Sequence, residues 1–271
     1  MRPRFRYVIG PTKTGNVVNG FIGFCAATAA LAFSTVTMAA GEMNVYSTIA
    51  LRGALEQLVP QFQEASGQTL AITWGTAAML TKRIEAGEPI DVALLTRENI
   101  DTLVNAGKIA ADSAVTLVSS HIAVAVKAGM PKPDIATADA FKQALLNAKT
   151  IAYSNPASGG ASGVYFAKLL ERMGIAAQLK AKTKYPPPGG NAASLLLSGD
   201  AELAVQQKPE LAAVAGVDIV GTLPDDLDHT TAFAAGVAAN SKNADAARAF
   251  LKFLQGPDAA AAFRARGFVP H

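Results

Sequence analysis

Four short stretches of small and hydroxylated residues stand where a helix is predicted to follow a strand. They are residues 47–50, 75–78, 158–163 and 189–191, which read Ser-Thr-Ile-Ala, Gly-Thr-Ala-Ala, Ser-Gly-Gly-Ala-Ser-Gly and Gly-Gly-Asn. Small side chains let a ligand approach the backbone, and the first turn of a helix offers unpaired N–H groups and about half a positive charge. Each stretch alone is also compatible with an ordinary capped turn. Together they favour a site for a small anion.

We predict that the anion is bound mainly by backbone N–H groups of these stretches. The predicted ligand-binding residues are Thr48, Ala50, Arg52, Thr76, Ala77, Gly160, Ser162, Gly190, Asn191 and Gln207. Arg52, one turn into the first predicted helix, would add a guanidinium that can hold a carboxylate through two parallel hydrogen bonds. The alternative interpretation of Arg52 is a solvated helix residue.

Proton transfer to or from a bound substrate would require a titratable side chain at the same site. The candidates are His121, His229, Tyr46, Tyr165 and Lys208. A histidine can exchange a proton near neutral pH, but neither histidine lies in a recognised catalytic motif, and a hinge or surface role is the alternative for both. We therefore assign no catalytic residue from the sequence.

Other common chemistries lack their residues. The glycine stretch at 158–163 does not have the G-x-x-x-x-G-K-[ST] pattern of a nucleotide site, and the chain has neither a G-x-S-x-G nor an H-E-x-x-H motif. The acidic turn at 225–228 is the one candidate for a cation, and we interpret it as a solvated loop. The sequence predicts no metal and no cofactor.

Strands and helices that alternate along the chain must position these residues. Met43–Ser47 and Asp91–Thr96 are apolar runs typical of strands, whereas the spacing of Leu51, Leu55, Leu58 and Phe62 is that of one face of a helix. Residues 92–95 are apolar on both faces, as expected inside a parallel sheet covered by helices. The pattern predicts an α/β fold.

The alternation is interrupted by a long strand-like passage at residues 114–127, and an apolar strand at 230–239 follows much later. We interpret these as two crossings between domains. The predicted architecture is two lobes, with two β-sheets flanked by helices and joined by two hinge strands. Residues 40–119 and 230–271 would form lobe 1, residues 120–229 would form lobe 2, and the ligand would bind between them.

Residues 1–39 have the pattern of a cleaved secretory signal peptide. Four basic residues precede an apolar run of about 13 residues, and small residues follow near Ala39. Such a run is too short for a membrane-spanning helix. The only cysteine, Cys25, lies within this segment after Phe24, so we expect neither a lipid anchor nor a disulfide in the mature chain. The predicted location is outside the cytoplasm.

Charge argues against nucleic acid as a partner. Residues 1–39 hold four of the 24 Lys and Arg residues and none of the 21 Asp and Glu residues, so the mature chain has 20 basic against 21 acidic residues. The basic excess belongs to the export signal. We expect a monomer whose partner is a small anion.

Several segments resemble one family. Val45-Tyr46-Ser47, the run Leu80–Val92 that contains Glu85-Ala86-Gly87-Glu88-Pro89-Ile90-Asp91, Ser198-Gly199-Asp200-Ala201, and Gly267-Phe268 near the end are similar to segments of the periplasmic molybdate-binding proteins and related bacterial extracellular solute-binding proteins. The resemblance spans nearly the whole mature chain. It implies a two-lobed periplasmic-binding-protein-like fold, located in the periplasm, whose hinged α/β lobes close on a small ligand. The closed protein would deliver the ligand to the membrane permease of an ATP-driven transporter, which is the second expected partner.

The resemblance also implies what the ligand is not. Two serines that usually contact molybdate align with Ala50 and Ala77, and a usual tyrosine aligns near Gln207, so three hydroxyl donors are absent. We therefore expect an organic carboxylate rather than molybdate. Some proteins that resemble this family are periplasmic isomerases of unsaturated tricarboxylates such as aconitate, and this activity is the alternative function.

Overall fold

The computed structural model describes residues 41–187 and 189–271. The predicted signal peptide lies outside the described residues. Within them the strands are β1 (Glu42–Thr48), β2 (Thr69–Gly75), β3 (Val92–Thr96), β4 (Val115–Lys127), β5 (Ile151–Tyr153), β6 (Thr183–Lys184), β7 (Leu203–Gln207), β8 (Val217–Thr222), β9 (Thr230–Val237) and β10 (Val269–Pro270). The helices are α1 (Arg52–Ser66), α2 (Ala77–Glu85), α3 (Arg97–Asn105), α4 (Ala138–Asn147), α5 (Ala161–Arg172), α6 (Ala176–Lys180), α7 (Ala193–Ser198), α8 (Lys208–Ala212), α9 (Ala244–Leu254) and α10 (Pro257–Ala265).

The strands follow the order β2-β1-β3-β9-β4-β7-β5-β6, and β8 and β10 also pair with β4. Strands β2, β1 and β3 are parallel to one another, and so are β7, β5 and β6. Strand β9 pairs antiparallel with β3 and β4. The predicted α/β fold is confirmed.

Strand β4 changes its partners in the middle. Its residues from Val115 to His121 pair with β9, whereas Ile122 and the residues after it pair with β7 and β8. We call β2, β1, β3, β9, β10 and residues 115–121 the first strand set, and residues 122–127, β7, β8, β5 and β6 the second strand set. The long strand-like passage that the sequence predicted is therefore a single strand shared by both sets.

Apolar side chains pack separately around each strand set. Around the first set, the buried face of α1 packs with α9 and α10, and the rings of Phe62 and Phe250 lie 4.9 Å apart. Around the second set, Phe141 of α4 and Phe166 of α5 pack against β4 and β5. Each helix covers its strands with one apolar stripe, as expected for amphipathic helices on a sheet. The lobe boundaries inferred from the sequence stay a prediction.

Candidate functional site

A pocket of about 580 Å³, partly open to solvent, lies where the carboxyl ends of strands from both sets meet. Thr48, Gly75 and Thr96 line it from the ends of β1, β2 and β3, and Gln207 lines it from the end of β7. Parallel strands place their carboxyl ends and the helix starts that follow them at one edge of a sheet, which is where ligands of open α/β folds bind.

Helix α2 begins at one wall of this pocket. Thr76 caps the helix by accepting a hydrogen bond from the Met79 N–H at 3.3 Å, and Ala77 is the first helical residue. The Thr76 hydroxyl also donates to the carbonyl oxygen of Ser158 at 2.6 Å, which belongs to the opposite wall. The two walls are therefore in direct contact through one side chain.

Helix α5 begins at the opposite wall. Gly160 precedes it without a side-chain cap, so no capping side chain occupies the N–H groups of its first turn. Gly163 packs so closely on Ser154 that an added Cβ would lie 2.1 Å from the Ser154 carbonyl oxygen. Only glycine fits there, and its absence of a side chain brings the start of α5 against the strand end.

Two buried polar atoms of pocket-lining residues make no hydrogen bond to the described protein. They are Thr48 Oγ1 and Gln207 Oε1, whose residues are 5% and 2% exposed. The Gln207 amide is anchored at its other end, where Nε2 donates to Thr231 Oγ1 at 2.8 Å. Burying such an atom without a partner costs about 1–3 kcal/mol, and a ligand that bonds to it removes the cost.

A carboxyl group also lines the pocket. Glu210 lies in the first turn of α8, and its Oε1 accepts a hydrogen bond from Gln206 Nε2 at 2.8 Å. Gln206 is 1% exposed, and its own oxygen accepts from the Ala192 N–H at 2.7 Å, so its amide can only present the NH₂ group to Glu210. Burial raises the pKa of Glu210 to about 7, against the opposing effect of the Gln206 hydrogen bond. Among the described lining residues, Glu210 is the only ionisable one.

The structure brings eight of the ten predicted ligand-binding residues to the pocket. The eight are Thr48, Ala50, Thr76, Ala77, Gly160, Ser162, Gly190 and Gln207. Arg52 does not line it: its guanidinium pairs with Glu56 at 2.7 Å and lies over the Trp74 ring. Asn191 also lies outside the lining, since its side chain donates to the Glu210 carbonyl and accepts from the Ala193 N–H.

The residues considered for proton transfer lie elsewhere. His121 pairs with Asp228 at 2.6 Å, and His229 stacks on Tyr165. Asp228 belongs to the acidic turn at 225–228, so this pairing also occupies one of the carboxylates considered as a cation ligand. The side chain of Lys208 packs on Gly267. No cluster suited to a metal ion occurs in residues 41–187 and 189–271.

Tyr46 belongs to a cluster with Arg83 and Glu88 rather than to the pocket. Burial raises the pKa of Tyr46, and hydrogen bonds from Arg83 and Tyr46 lower the pKa of Glu88 to about 2. Arg83 and Glu88 belong to segment 80–92, which resembles the molybdate-binding proteins. Their role is to tie the end of α2 to β1.

Sequence reasoning missed Gln206 and Glu210. Gln206 precedes the predicted residue Gln207, and Glu210 lies three residues after it. Glu210 follows Pro209 at the start of a helix of only five residues. A proline just after a buried strand is a signal for a helix start, and it would have placed Glu210 in the first turn beside the strand end. The helix itself is too short to show a helical period.

The chain belongs to the bacterial extracellular solute-binding proteins, whose family model matches residues 43–269. It is 37% identical over 253 residues to an aconitate isomerase from Pseudomonas sp, covering 90% of this chain and 92% of that protein. It is 27% identical over 231 residues to the molybdate-binding protein ModA of Escherichia coli strain K12, covering 84% and 89%.

Solved structures agree on the fold. The Azotobacter vinelandii periplasmic molybdate-binding protein superposes with a TM-score of 0.70 at 24% identity, covering 84% of this chain and 98% of that one. The family resemblance seen in the sequence is confirmed. In the described part of the chain, every helix is too short or too polar to cross a bilayer.

Proposed function

We propose that this protein is exported to the periplasm, binds a small organic polycarboxylate in the pocket and serves as the solute-binding component of an ABC-type transporter. The observation that carries the proposal is the pair of buried unpaired atoms, Thr48 Oγ1 and Gln207 Oε1, beside the first turns of α2 and α5. Polar atoms buried without partners favour a ligand that pairs with them, and two helix starts favour an anion.

The donor set supports a carboxylate over molybdate. Ala50 and Ala77 line the pocket with methyl groups where the family resemblance implies serine hydroxyls, and Gln207 offers an amide where it implies a phenol. Backbone N–H groups at Ala50, Ala77 and Ser162 would bind the carboxylates. The Gly190 N–H already donates to the Pro187 carbonyl oxygen at 2.7 Å, so Gly190 would line the pocket without contributing that donor. Arg52 is not a ligand in this proposal, because its guanidinium is paired with Glu56.

Closure of two lobes would couple binding to transport. In this proposal residues 40–119 with 230–271 form one lobe, residues 120–229 form the other, and the hinge lies near His121, where β4 changes partners. The ligand favours closure by as much as it binds the closed form better than the open form. The closed form would then be the one that a permease binds.

Titration calorimetry of the mature chain with molybdate, tungstate, citrate and both aconitates tests the ligand class. We expect binding of at least one tricarboxylate and weak or absent binding of the two tetrahedral oxyanions. Tight molybdate or tungstate binding without a response to any carboxylate would refute the proposal. Control titrations with sulfate at equal ionic strength separate specific binding from general screening.

A second candidate function is isomerisation of an unsaturated tricarboxylate. It is supported by the aconitate isomerase relative, which matches nearly the whole chain, and by the carboxyl of Glu210 at the pocket. Incubation of the purified protein with either aconitate isomer, followed by proton NMR, tests it. Interconversion that disappears on substitution of pocket residues would support the enzyme, and tight binding without turnover would support the receptor.

A further inference from the structure

We propose that Glu210 is the residue that carries the proton in an allylic isomerisation of the bound tricarboxylate. The inference rests on the second candidate function and assigns its chemistry to one side chain. Its basis is the position of Glu210 in the lining and the fixed orientation of the amide that holds it. Nothing else that lines the described pocket can accept a proton from carbon at neutral pH, since the other lining residues carry hydroxyl, amide or apolar side chains.

The reaction balances with this one group. Aconitate has a methylene and an olefinic carbon on either side of its central carbon. The ionised carboxylate removes a proton from the methylene, and the electron pair spreads over the three carbons and their carboxylates. Glu210 then returns the proton to the former olefinic carbon. The double bond has moved by one position, its new geometry can be cis or trans, and Glu210 is ionised again.

The pocket supplies what this intermediate needs. Negative charge grows on the terminal carboxylates as the proton leaves, and the N–H groups of the first turns of α2 and α5 are fixed donors for that charge. Gln206 Nε2 donates to the carboxyl of Glu210, and the oxygen of Gln206 accepts a hydrogen bond from the Ala192 N–H. The proton carrier is therefore positioned by two successive hydrogen bonds.

Glu210 is difficult to explain as part of a receptor alone. An ionised carboxyl in an anion pocket repels the ligand, and glutamine would keep the shape without the charge. A carrier that must both take and return a proton works best when its pKa is near the working pH, and burial raises the pKa of Glu210 to about 7. The group that weakens anion binding is thus the group suited to the proton transfer.

The test compares Glu210→Gln, Glu210→Asp and the control Glu64→Gln, an exposed carboxylate on α1. Calorimetry measures aconitate affinity, NMR measures interconversion, and substrate deuterated at its methylene shows where the label goes. We expect wild type and Glu64→Gln to isomerise aconitate and to recover part of the label at the other carbon. Glu210→Gln should bind within a few-fold of wild type and lose about 10²–10⁴-fold in rate. Glu210→Asp should retain more activity than the glutamine variant.

The outcomes separate this inference from the broader proposal. If Glu210→Gln keeps the wild-type rate, Glu210 is not the proton carrier even though the protein is an isomerase. If wild type binds aconitate and neither isomerises it nor exchanges its methylene protons, the inference fails and the solute-binding proposal stands. If wild type binds no carboxylate, the proposed function itself fails. Should the glutamine variant not fold, a wild-type rate in the folded aspartate variant, with unchanged pH dependence, would also overturn the assignment.

Discussion

The hydroxyl of Thr76 donates a hydrogen bond of 2.6 Å to the carbonyl oxygen of Ser158, and the two residues belong to opposite walls of the pocket. The walls also approach closely at Gly159, where an added Cβ would lie 2.4 Å from the Cβ of Ala78. The described conformation is therefore one in which the walls touch. The same hydroxyl also caps α2, so the Thr76 side chain makes one hydrogen bond within its own wall and one to the opposite wall.

Thr76→Val should weaken ligand binding by about 2- to 10-fold, because a net hydrogen bond is worth about 0.5–1.5 kcal/mol and this one exists only when the walls meet. Calorimetry with the tricarboxylate that binds wild type measures the effect. The matched control is Thr137→Val, which removes an equivalent cap from α4, where Thr137 accepts from the Ala140 N–H. Equal affinities of the two variants would contradict a role for Thr76 in closure.

Thr48→Val should separate stability from binding. The Thr48 hydroxyl is buried without a partner, so the isosteric valine should leave the free energy of unfolding of the ligand-free protein unchanged or raise it by up to about 1 kcal/mol. Ligand-induced stabilisation should fall, because the valine cannot pair with the ligand. Thermal unfolding with and without ligand measures both.

The control for that substitution is Thr81→Val, since Thr81 is also buried but its hydroxyl is already paired with the Ala77 carbonyl oxygen. We expect ligand-induced stabilisation to stay at the wild-type value in this variant. A larger loss of ligand response in Thr81→Val than in Thr48→Val would remove Thr48 from the site.

The sequence allowed the pocket walls to be predicted, because strand ends followed by small residues and helix starts are local patterns. Thr76, Ala77, Gly160 and Ser162 all line the pocket, although their part in binding stays a prediction. The fold class follows from the same local alternation of strands and helices. These features depend on residues that are close together in the chain.

Arg52 and Glu210 could not be placed in the same way. A guanidinium near a helix start can turn to a ligand or to a carboxylate four residues on, and Glu56 provides that partner at the surface. Glu210 is exposed or buried according to how α8 sits against strands distant in sequence, including β4. Side-chain direction and long-range packing decided both cases, and neither leaves a pattern in the sequence.

The raised pKa of Glu210 predicts a pH dependence of stability. Between pH 4.5, the ordinary pKa of a glutamate, and about pH 7, the Glu210 carboxyl is ionised in the unfolded chain but stays protonated in the folded protein. The contribution of Glu210 to the free energy of unfolding therefore falls as pH rises through that window, by an amount on the order of 3 kcal/mol. Glu210→Gln removes this contribution, so the variant should gain stability relative to wild type between about pH 5 and about pH 8.

Denaturant unfolding of wild type and Glu210→Gln at about pH 5 and about pH 8 measures the difference between their free energies of unfolding. The contributions of all other titrating groups cancel in this difference. The ionisable groups on the elements around α8 do not cause the shift, since they are paired, packed or exposed elsewhere: His121 with Asp228, Asp218 with the Gly129 N–H, Lys208 on Gly267, and Lys127 at the surface. A wild-type-to-variant difference that is constant over this range would show that the pKa of Glu210 is ordinary.

Gly163→Ala should damage the binding wall itself. The new methyl group would lie 2.1 Å from the Ser154 carbonyl oxygen, so α5 must shift away from β5 at a cost of about 1–3 kcal/mol in the free energy of unfolding. The shift moves the first turn of α5, and ligand affinity should fall with stability. Gly53→Ala is the matched control, because a Cβ there meets Ala213 at an ordinary 3.7 Å and alanine favours the helix. Denaturant unfolding and calorimetry of both variants check the expectation, which fails if Gly163→Ala binds ligand as tightly as Gly53→Ala.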